Sequence, residues 1–239
     1  MIQFYAPDIE STGCLPESDS AHCSRVLRMK AGEEVTVVDG KGKRFLCSIL
    51  ESHPKHTLLE IISSEEVPNH WRNEIILAVA PTKHTDRMEW LIEKVVEIGV
   101  DRVVLLRCRR SERKAIRIDR LEKVAVAAMK QSLKTVVPIV EEISDFGKFV
   151  KESRDGAQKF FGYCDSAFPR KDFSQVYSSG SPVVVMIGPE GDFAPEEVSL
   201  AIDNGFVPVT FGQSRLRTET AALYGVAAIH VLNQLGNKG

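Results

Sequence analysis

Glu74-Ile75-Ile76-Leu77-Ala78-Val79-Ala80, followed by Pro81-Thr82-Lys83-His84 and then by Thr85 to Ile98 and Gly99, decides the fold. After Glu74 the first run is apolar at every position, which suits a strand covered on both faces. The second run changes period. Met88, Leu91, Ile92, Val95 and Ile98 recur at helical spacing, and Gly99 stands where a helix C-cap is wanted. A strand buried on both sides and followed by an amphipathic helix is the unit of a parallel sheet with helices on both faces.

Downstream the alternation repeats. Strand Arg102 to Arg107 precedes a helix around Leu121, Val124, Ala125, Ala128 and Met129, and further strands are expected at Ile139 to Glu142 and Lys159 to Cys164. Strand Pro182 to Ile187 leads through a loop to a helix over Pro195 to Asn204, with Pro at its first turn and Gly205 beyond its end. Strand Phe206 to Phe211, a second loop and a helix over about Glu219 to Leu235 complete the chain. Upstream of Trp71 the pattern is different. Glu34 to Val38, the turn Asp39-Gly40-Lys41-Gly42, Arg44 to Leu50 and Thr57 to Ile62 read as short strands, with Asp-Gly between β-branched runs as a hairpin signal. Ser20 to Arg28 reads as a short helix carrying Arg25 and Arg28 on one face. The chain therefore divides into a small β-barrel module, residues 1–72, and an α/β domain, residues 73–239.

Composition agrees with a packed fold. Of 239 residues, 43% are hydrophobic and 27% charged, which excludes disordered, collagen-like and coiled-coil classes. Neither Val183 to Ile187 nor Ile75 to Ala80 approaches the roughly 20 apolar residues that cross a bilayer. Met1 to Asp8 lacks the basic start and apolar stretch of a secretory signal, so a cytoplasmic protein with no membrane partner is expected. The cysteines, Cys14, Cys23, Cys47, Cys108 and Cys164, are scattered singly and the histidines lack paired spacing; reduced thiols and no metal site are expected. His22 and Cys23 are adjacent, but neighbours in sequence point different ways and do not by themselves make a catalytic pair.

The net charge of −2 hides an asymmetry. Arg107, Arg109, Arg110, Arg113, Lys114, Arg117 and Arg120 fall within fourteen residues. Such density repels itself, and a polyanion would relieve it. Phosphate is the expected partner.

In an open α/β sheet, ligands bind beyond the carboxyl ends of the strands. Two loops stand there: Ile187-Gly188-Pro189-Glu190-Gly191-Asp192-Phe193, and Phe211-Gly212-Gln213-Ser214-Arg215-Leu216-Arg217-Thr218-Glu219-Thr220-Ala221. Gly188 and Gly191 allow tight turns and close approach of a ligand to the backbone. The plain reading of the second loop is a connection ending in an N-cap at Thr218. Neither loop carries the Gly-x-Gly-x-x-Gly of a dinucleotide site or the Gly-x-x-x-x-Gly-Lys-Ser/Thr of a P-loop, and no Gly-x-Ser-x-Gly or His-Glu-x-x-His occurs.

Gly188-Pro189-Glu190-Gly191-x-Phe193 followed by Leu216-Arg217-Thr218-Glu219-Thr220-Ala221 resembles the signature of the ribosomal RNA small subunit methyltransferase E family, of the SPOUT class. Further blocks in the family's order support the resemblance across nearly the whole chain: His22-x-x-Arg25-Val26-Leu27-Arg28, Pro81-Thr82-Lys83 with Arg87 and Lys94, Glu97-Ile98-Gly99-Val100, Ser111-Glu112-Arg113, Gln131-Ser132 and Val137-Pro138. The resemblance implies an N-terminal PUA-like barrel that binds RNA and a C-terminal α/β domain threaded into a deep trefoil knot. It implies a homodimer, joined through the knotted domain, that uses S-adenosylmethionine to methylate N3 of one uridine in the 16S rRNA of the small ribosomal subunit. The cofactor loops map onto Ile187, Gly188, Glu190 and Gly191 and onto Phe211, Gly212, Leu216 and Arg217.

The chemistry fits those residues. Uracil N3 carries a proton, so Arg217 is assigned to stabilise developing charge on the base, and Glu219 or Glu190 to take the proton. Glu219 is equally suited to a helix N-terminus, where a carboxylate meets the macrodipole. Arg25, Arg28, Lys83, Arg87, Arg110 and Arg113 form the expected RNA-contact set. The sequence departs from the family pattern at Asp192, which stands where a second glycine is usual, and at Lys134 and Ser214, where arginine is common. Two other readings use the same residues: a ribosome-binding relative that has lost catalysis, and a SPOUT enzyme acting on a different RNA.

Overall fold

The computed structural model describes residues 2–113, 115–152, 154, 156–165 and 168–236. Lys114, which the sequence places in the basic cluster, lies outside them. The chain forms two compact units, Met1–His70 with Val126–Val137, and Trp71–Ala125 with Pro138–Gly239.

In the first unit, strands β1 (Gln3–Tyr5), β2 (Glu34–Val38), β3 (Lys43–Glu51) and β4 (Leu58–Glu66) make a sheet in sequence order. β1 runs parallel to β2, and the rest is antiparallel. The Asp39-Gly40 turn joins β2 to β3 as the sequence predicts; Gly40 has φ 77, and the Asp39 carboxylate accepts from the Lys41 and Lys43 N–H groups. Alternate residues Val35, Val37, Phe45, Cys47 and Ile49 pack inward with Phe4, Ile9 and Leu15. Helices α1 (Ile9–Thr12) and α2 (Glu17–Ala21) lead into a π-helical turn over His22–Val26. Arg28 does not share a helical face with Arg25, because the helix ends first. Met29 N–H closes back on Cys23 O at 3.1 Å, and Arg28 sits in the left-handed region with φ 56.

The second unit contains seven parallel strands in the order β7-β6-β5-β10-β8-β11-β9. Its elements are β5 (Ile75–Val79), α3 (Thr85–Ile98), β6 (Arg102–Arg107), α4 (Ile118–Gln131), β7 (Ile139–Asp145), α5 (Phe146–Lys151), β8 (Gln158–Gly162), β9 (Lys171–Asp172), α6 (Phe173–Val176), β10 (Val183–Ile187), α7 (Pro195–Asp203), β11 (Val207–Thr210) and α8 (Thr218–Gly236). The last turns of α4 fall in the segment grouped with the first unit. β5 and β10 are adjacent and buried at every position, as unbroken apolar runs should be. α3 and α8 pack together with α8 on β5 and β10; α5 and α7 pack together, with α7 on β11 and α5 on β6 and β7. The latter core gathers Ile76, Ala78, Val104, Leu106, Val184 and Met186 with Phe146, Phe149, Phe193 and Val198. Strands β5 to β7 extend the sheet one way, and β8, β11 and β9 extend it the other. That reversal beside β10 opens a crevice at the strand ends.

Candidate active site

The carboxyl ends of β8, β10 and β11 open into a cavity of about 1070 Å³. Ile187, Gly188, Glu190, Gly191, Phe211, Gly212, Leu216 and Arg217 all line it, so the two loops singled out in the sequence face one space. The sequence does not signal a third wall. It is the segment after β8, from which Tyr163, Cys164, Asp165 and Arg170 line the same cavity. No glycine-rich signal marks that segment; only its place after a strand could have raised it.

Small residues make the room. A Cβ on Gly162 would lie 2.9 Å from the Ile187 side chain and 3.1 Å from the Phe211 ring, so that ring takes its place only because position 162 has no side chain. Gly212 turns with φ 109. Thr218 does not behave as a plain N-cap: its Oγ1 donates to Gly188 O at 3.2 Å, tying the start of α8 to the opposite loop.

Arginines hold the rim. Arg110 Nη1 donates to Gly191 O at 2.8 Å and to Phe193 O at 3.3 Å. Arg113 donates through Nε and Nη2 to Lys83 O at 3.1 and 2.7 Å, while Lys83 N–H donates to Glu190 Oε1 at 3.1 Å. Lys83 Nζ also pairs with Glu112 at 3.4 Å. Arg107 pairs with Asp145, Arg109 with Glu196, Arg117 with Asp119 and Arg120 with Glu89. Folding itself thus supplies much of the relief that the charge density demands. Arg25 and Arg28, in the first unit, are exposed, and their side chains make no hydrogen bond or ion pair among the described residues.

The proposed catalytic pair occupies two different settings. Arg217 is exposed and lines the large cavity, and its side chain makes no hydrogen bond or ion pair among the described residues. Glu219 is only 7% exposed, on the first turn of α8. Its Oε1 lies 3.6 Å from Arg87 Nη1, and its Oε2 is buried with no hydrogen-bond partner. Both residues, with Arg87, Asp86, Trp90 and Thr220, line a second cavity of about 650 Å³. Arg87 and Arg217 border both spaces. Glu219 itself lines only the smaller space, and Arg87 and Arg217 connect it to the cavity of the two loops.

The thiols are free: Cys23, Cys47 and Cys108 are buried, Cys14 partly so, and Cys164 is exposed. Burial pushes the Cys47 thiol up to about 11. Desolvation and the Asp192 charge raise that of Cys164 against the pull of Arg170 and Arg215. Among the described residues no group of three His, Cys, Asp or Glu could hold a metal, and no helix is long and apolar enough to cross a membrane.

Residues 69–230 match the model of an RNA methyltransferase domain, and residues 15–62 that of an RNA methyltransferase PUA domain. The chain is 42% identical to the probable rRNA-methyltransferase of Porphyromonas gingivalis, with a TM-score of 0.95 over 98% of this chain and 99% of the other. It is 29% identical to the ribosomal RNA small subunit methyltransferase E of Neisseria gonorrhoeae bound to S-adenosyl methionine, with a TM-score of 0.87 over 97% and 98% of the two chains. It is 28% identical to the protein of that same name from Bacillus subtilis, over 96% of this chain and 92% of the other.

Proposed function

The chain belongs to the RNA methyltransferase family, and from that premise we propose that it transfers a methyl group from S-adenosylmethionine to N3 of a uridine in the 16S rRNA of the small ribosomal subunit. The observation that carries the reading is the single cavity shared by both signature loops, with Arg217 on its wall. A cavity of that size lined by Ile187, Val209, Phe211 and Leu216, with Arg and Asp side chains and open loop backbone, suits a nucleoside joined to a charged amino acid. Ile187, Gly188, Glu190, Gly191, Phe211, Gly212, Leu216 and Arg217 are the residues that would hold it.

When bound, S-adenosylmethionine supplies an electrophilic methyl on a sulfonium, so the protein needs no nucleophile of its own. What the chain must provide is alignment and charge. Arg217 would stabilise the anionic uracil, and the Glu219 carboxylate, which lines the adjoining space with Arg87 and Arg217, would accept the N3 proton when the donor's methyl passes to N3. Glu190 is the other carboxylate in range of the loops, but it is exposed and already accepts from the Lys83 N–H. Arg25, Arg28, Arg110 and Arg113 are assigned to RNA phosphates, with Lys83 and Arg87, paired with Glu112 and Glu219, beside them on the RNA-contact surface. α3 and α8 leave Trp90, Tyr224, Val231 and Leu235 exposed, which supports a homodimer formed through the α/β domain. Domain limits at 1–72 and 73–239 fit this division of labour.

The test is incubation with labelled S-adenosylmethionine and small ribosomal subunits lacking the modification, followed by mass spectrometry of the digested nucleosides. Methyl label in 3-methyluridine is the expected result. Label in another nucleoside, or in tRNA alone, would replace the substrate assignment; ribosome binding without donor binding would replace the enzyme by a binding protein.

A further inference from the structure

We infer that Asp192 is a positioning residue that locks the Gly188–Phe193 loop to the segment after β8, with Arg110 bracing the same loop, and so preshapes the methyl-donor pocket. The inference rests on the methyltransferase reading. Its starting point is a conformation that needs a reason: Asp192 has φ 60, in the left-handed region that an L side chain disfavours and glycine adopts freely. Among the described residues only Arg28 and Leu133 share that property, and both belong to the first unit.

The Asp192 side chain supplies the reason. Its Oδ2 accepts from the Cys164 N–H at 3.0 Å, and its Oδ1 accepts from the Phe193 N–H at 2.8 Å. Its own N–H donates to Pro189 O at 2.9 Å, which closes the turn. Arg110 holds the same loop through the carbonyls on either side of Asp192, those of Gly191 and Phe193. Beyond Cys164 the chain of contacts continues, because Arg170 Nη1 donates to Cys164 O at 2.8 Å. Arg110, Gly191, Asp192, Cys164 and Arg170 all line the 1070 Å³ cavity. The Asp192 carboxylate thus joins two of its three walls, and a guanidinium braces each of them.

Such a device adds little to the folded core, since its groups are at or near the surface. What it changes is how much ordering the walls must undergo when a ligand enters. Glycine at position 192 would relieve the backbone and delete the link, so stability and donor affinity should separate.

Binding of S-adenosylmethionine and of S-adenosylhomocysteine to the full chain is measured by calorimetry, with Tm taken without ligand. Asp192→Gly is expected to weaken donor binding about tenfold, the scale of a lost charge-assisted link in a preorganised site, with Tm unchanged or higher. The KM for the donor should rise more than kcat falls, and the KM for rRNA should hold. Asp192→Ala should lose the same affinity but also lower Tm, whereas Asp192→Asn, which tolerates left-handed φ and keeps one acceptor, should recover part of the affinity. Arg110→Ala should weaken donor binding in the absence of RNA. Donor binding by Asp192→Gly equal to that of the unsubstituted chain would overturn the inference, as would a fall in its Tm in step with affinity. An effect of Arg110→Ala confined to the KM for rRNA would remove Arg110 from the device. An unsubstituted chain that binds no donor would instead overturn the methyltransferase reading itself.

Discussion

Arg217 and Glu219 are two residues apart, yet their surroundings give them opposite characters. Arg217 stands in the open, with its guanidinium uncommitted among the described residues, so its removal should cost charge stabilisation and little else. Arg217→Ala is expected to lower kcat by about 10²–10³, the loss typical of one transition-state donor. An unchanged kcat would take it out of the mechanism. Glu219 is buried beside Arg87, so Glu219→Gln keeps its shape and hydrogen-bonding reach while removing the base. A kcat lowered by about 10²–10⁴ with donor affinity intact, read by calorimetry, is the outcome of a general base. A helix-terminal carboxylate alone would leave kcat in place and lower stability by about 0.3–1 kcal/mol. Cys164 offers a third readout. Its thiol is raised above the usual range by desolvation and by Asp192, so its thiolate fraction at pH 8 is below that of an unperturbed cysteine. Labelling with a thiol-directed reagent should therefore be slow at pH 8, accelerate as pH rises through the raised value, and be suppressed by bound donor, because Cys164 lines the cavity.

Elements with a single strong period are legible in the sequence to within a residue or so at their ends. α3 over Thr85–Ile98 coincides with the periodic run that predicts it, and β6 over Arg102–Arg107 with an unbroken apolar run between arginines. Elements shorter than two turns, α1, α2, α5 and α6, and the two-residue β9 carry too few positions for a period to register. Strand order is illegible for a different reason: β10 lies between β5 and β8, a pairing fixed by long-range packing and not by any local pattern. The two signature loops could be found from their glycines and their place after strands. That Arg110 and Arg113 point back to loop carbonyls could not, because an arginine's partner is set in space. Gly99 marks where sequence and packing meet. It ends α3 as the periodicity predicts, yet with φ 132 and with Trp71 and His230 against it. A Cβ there would fall 2.7 Å from Trp71 Cζ3 and 3.0 Å from the His230 ring, whose Nε2 is 2.8 Å from Gly99 O. Gly99→Ala should thus destabilise the second unit by about 2–4 kcal/mol, by overpacking and backbone strain together. Chemical denaturation checks it, and a loss below about 0.5 kcal/mol would mean the contact yields easily.

At the scale of the whole molecule, a net charge of −2 must coexist with affinity for a polyanion, so what matters is which cations remain uncompensated. Arg87 faces the Glu219 carboxylate and Lys83 faces Glu112, so each brings little net charge to a phosphate. Arg110 and Arg113 donate to neutral carbonyls and keep theirs, and Arg25 and Arg28 have no partner among the described residues. Four such cations on single-stranded rRNA imply a slope of log K against log salt of roughly −3, since each neutralised phosphate contributes about −0.7. Filter binding to a 16S rRNA fragment from 50 to 300 mM salt reads that slope. Arg25→Ala and Arg28→Ala should each make it shallower by about 0.7, whereas Arg87→Ala should leave it almost unchanged while uncovering Glu219. A slope near zero would remove phosphate recognition from the function. An equal effect of all three substitutions would show that the Arg87–Glu219 pair opens when RNA binds.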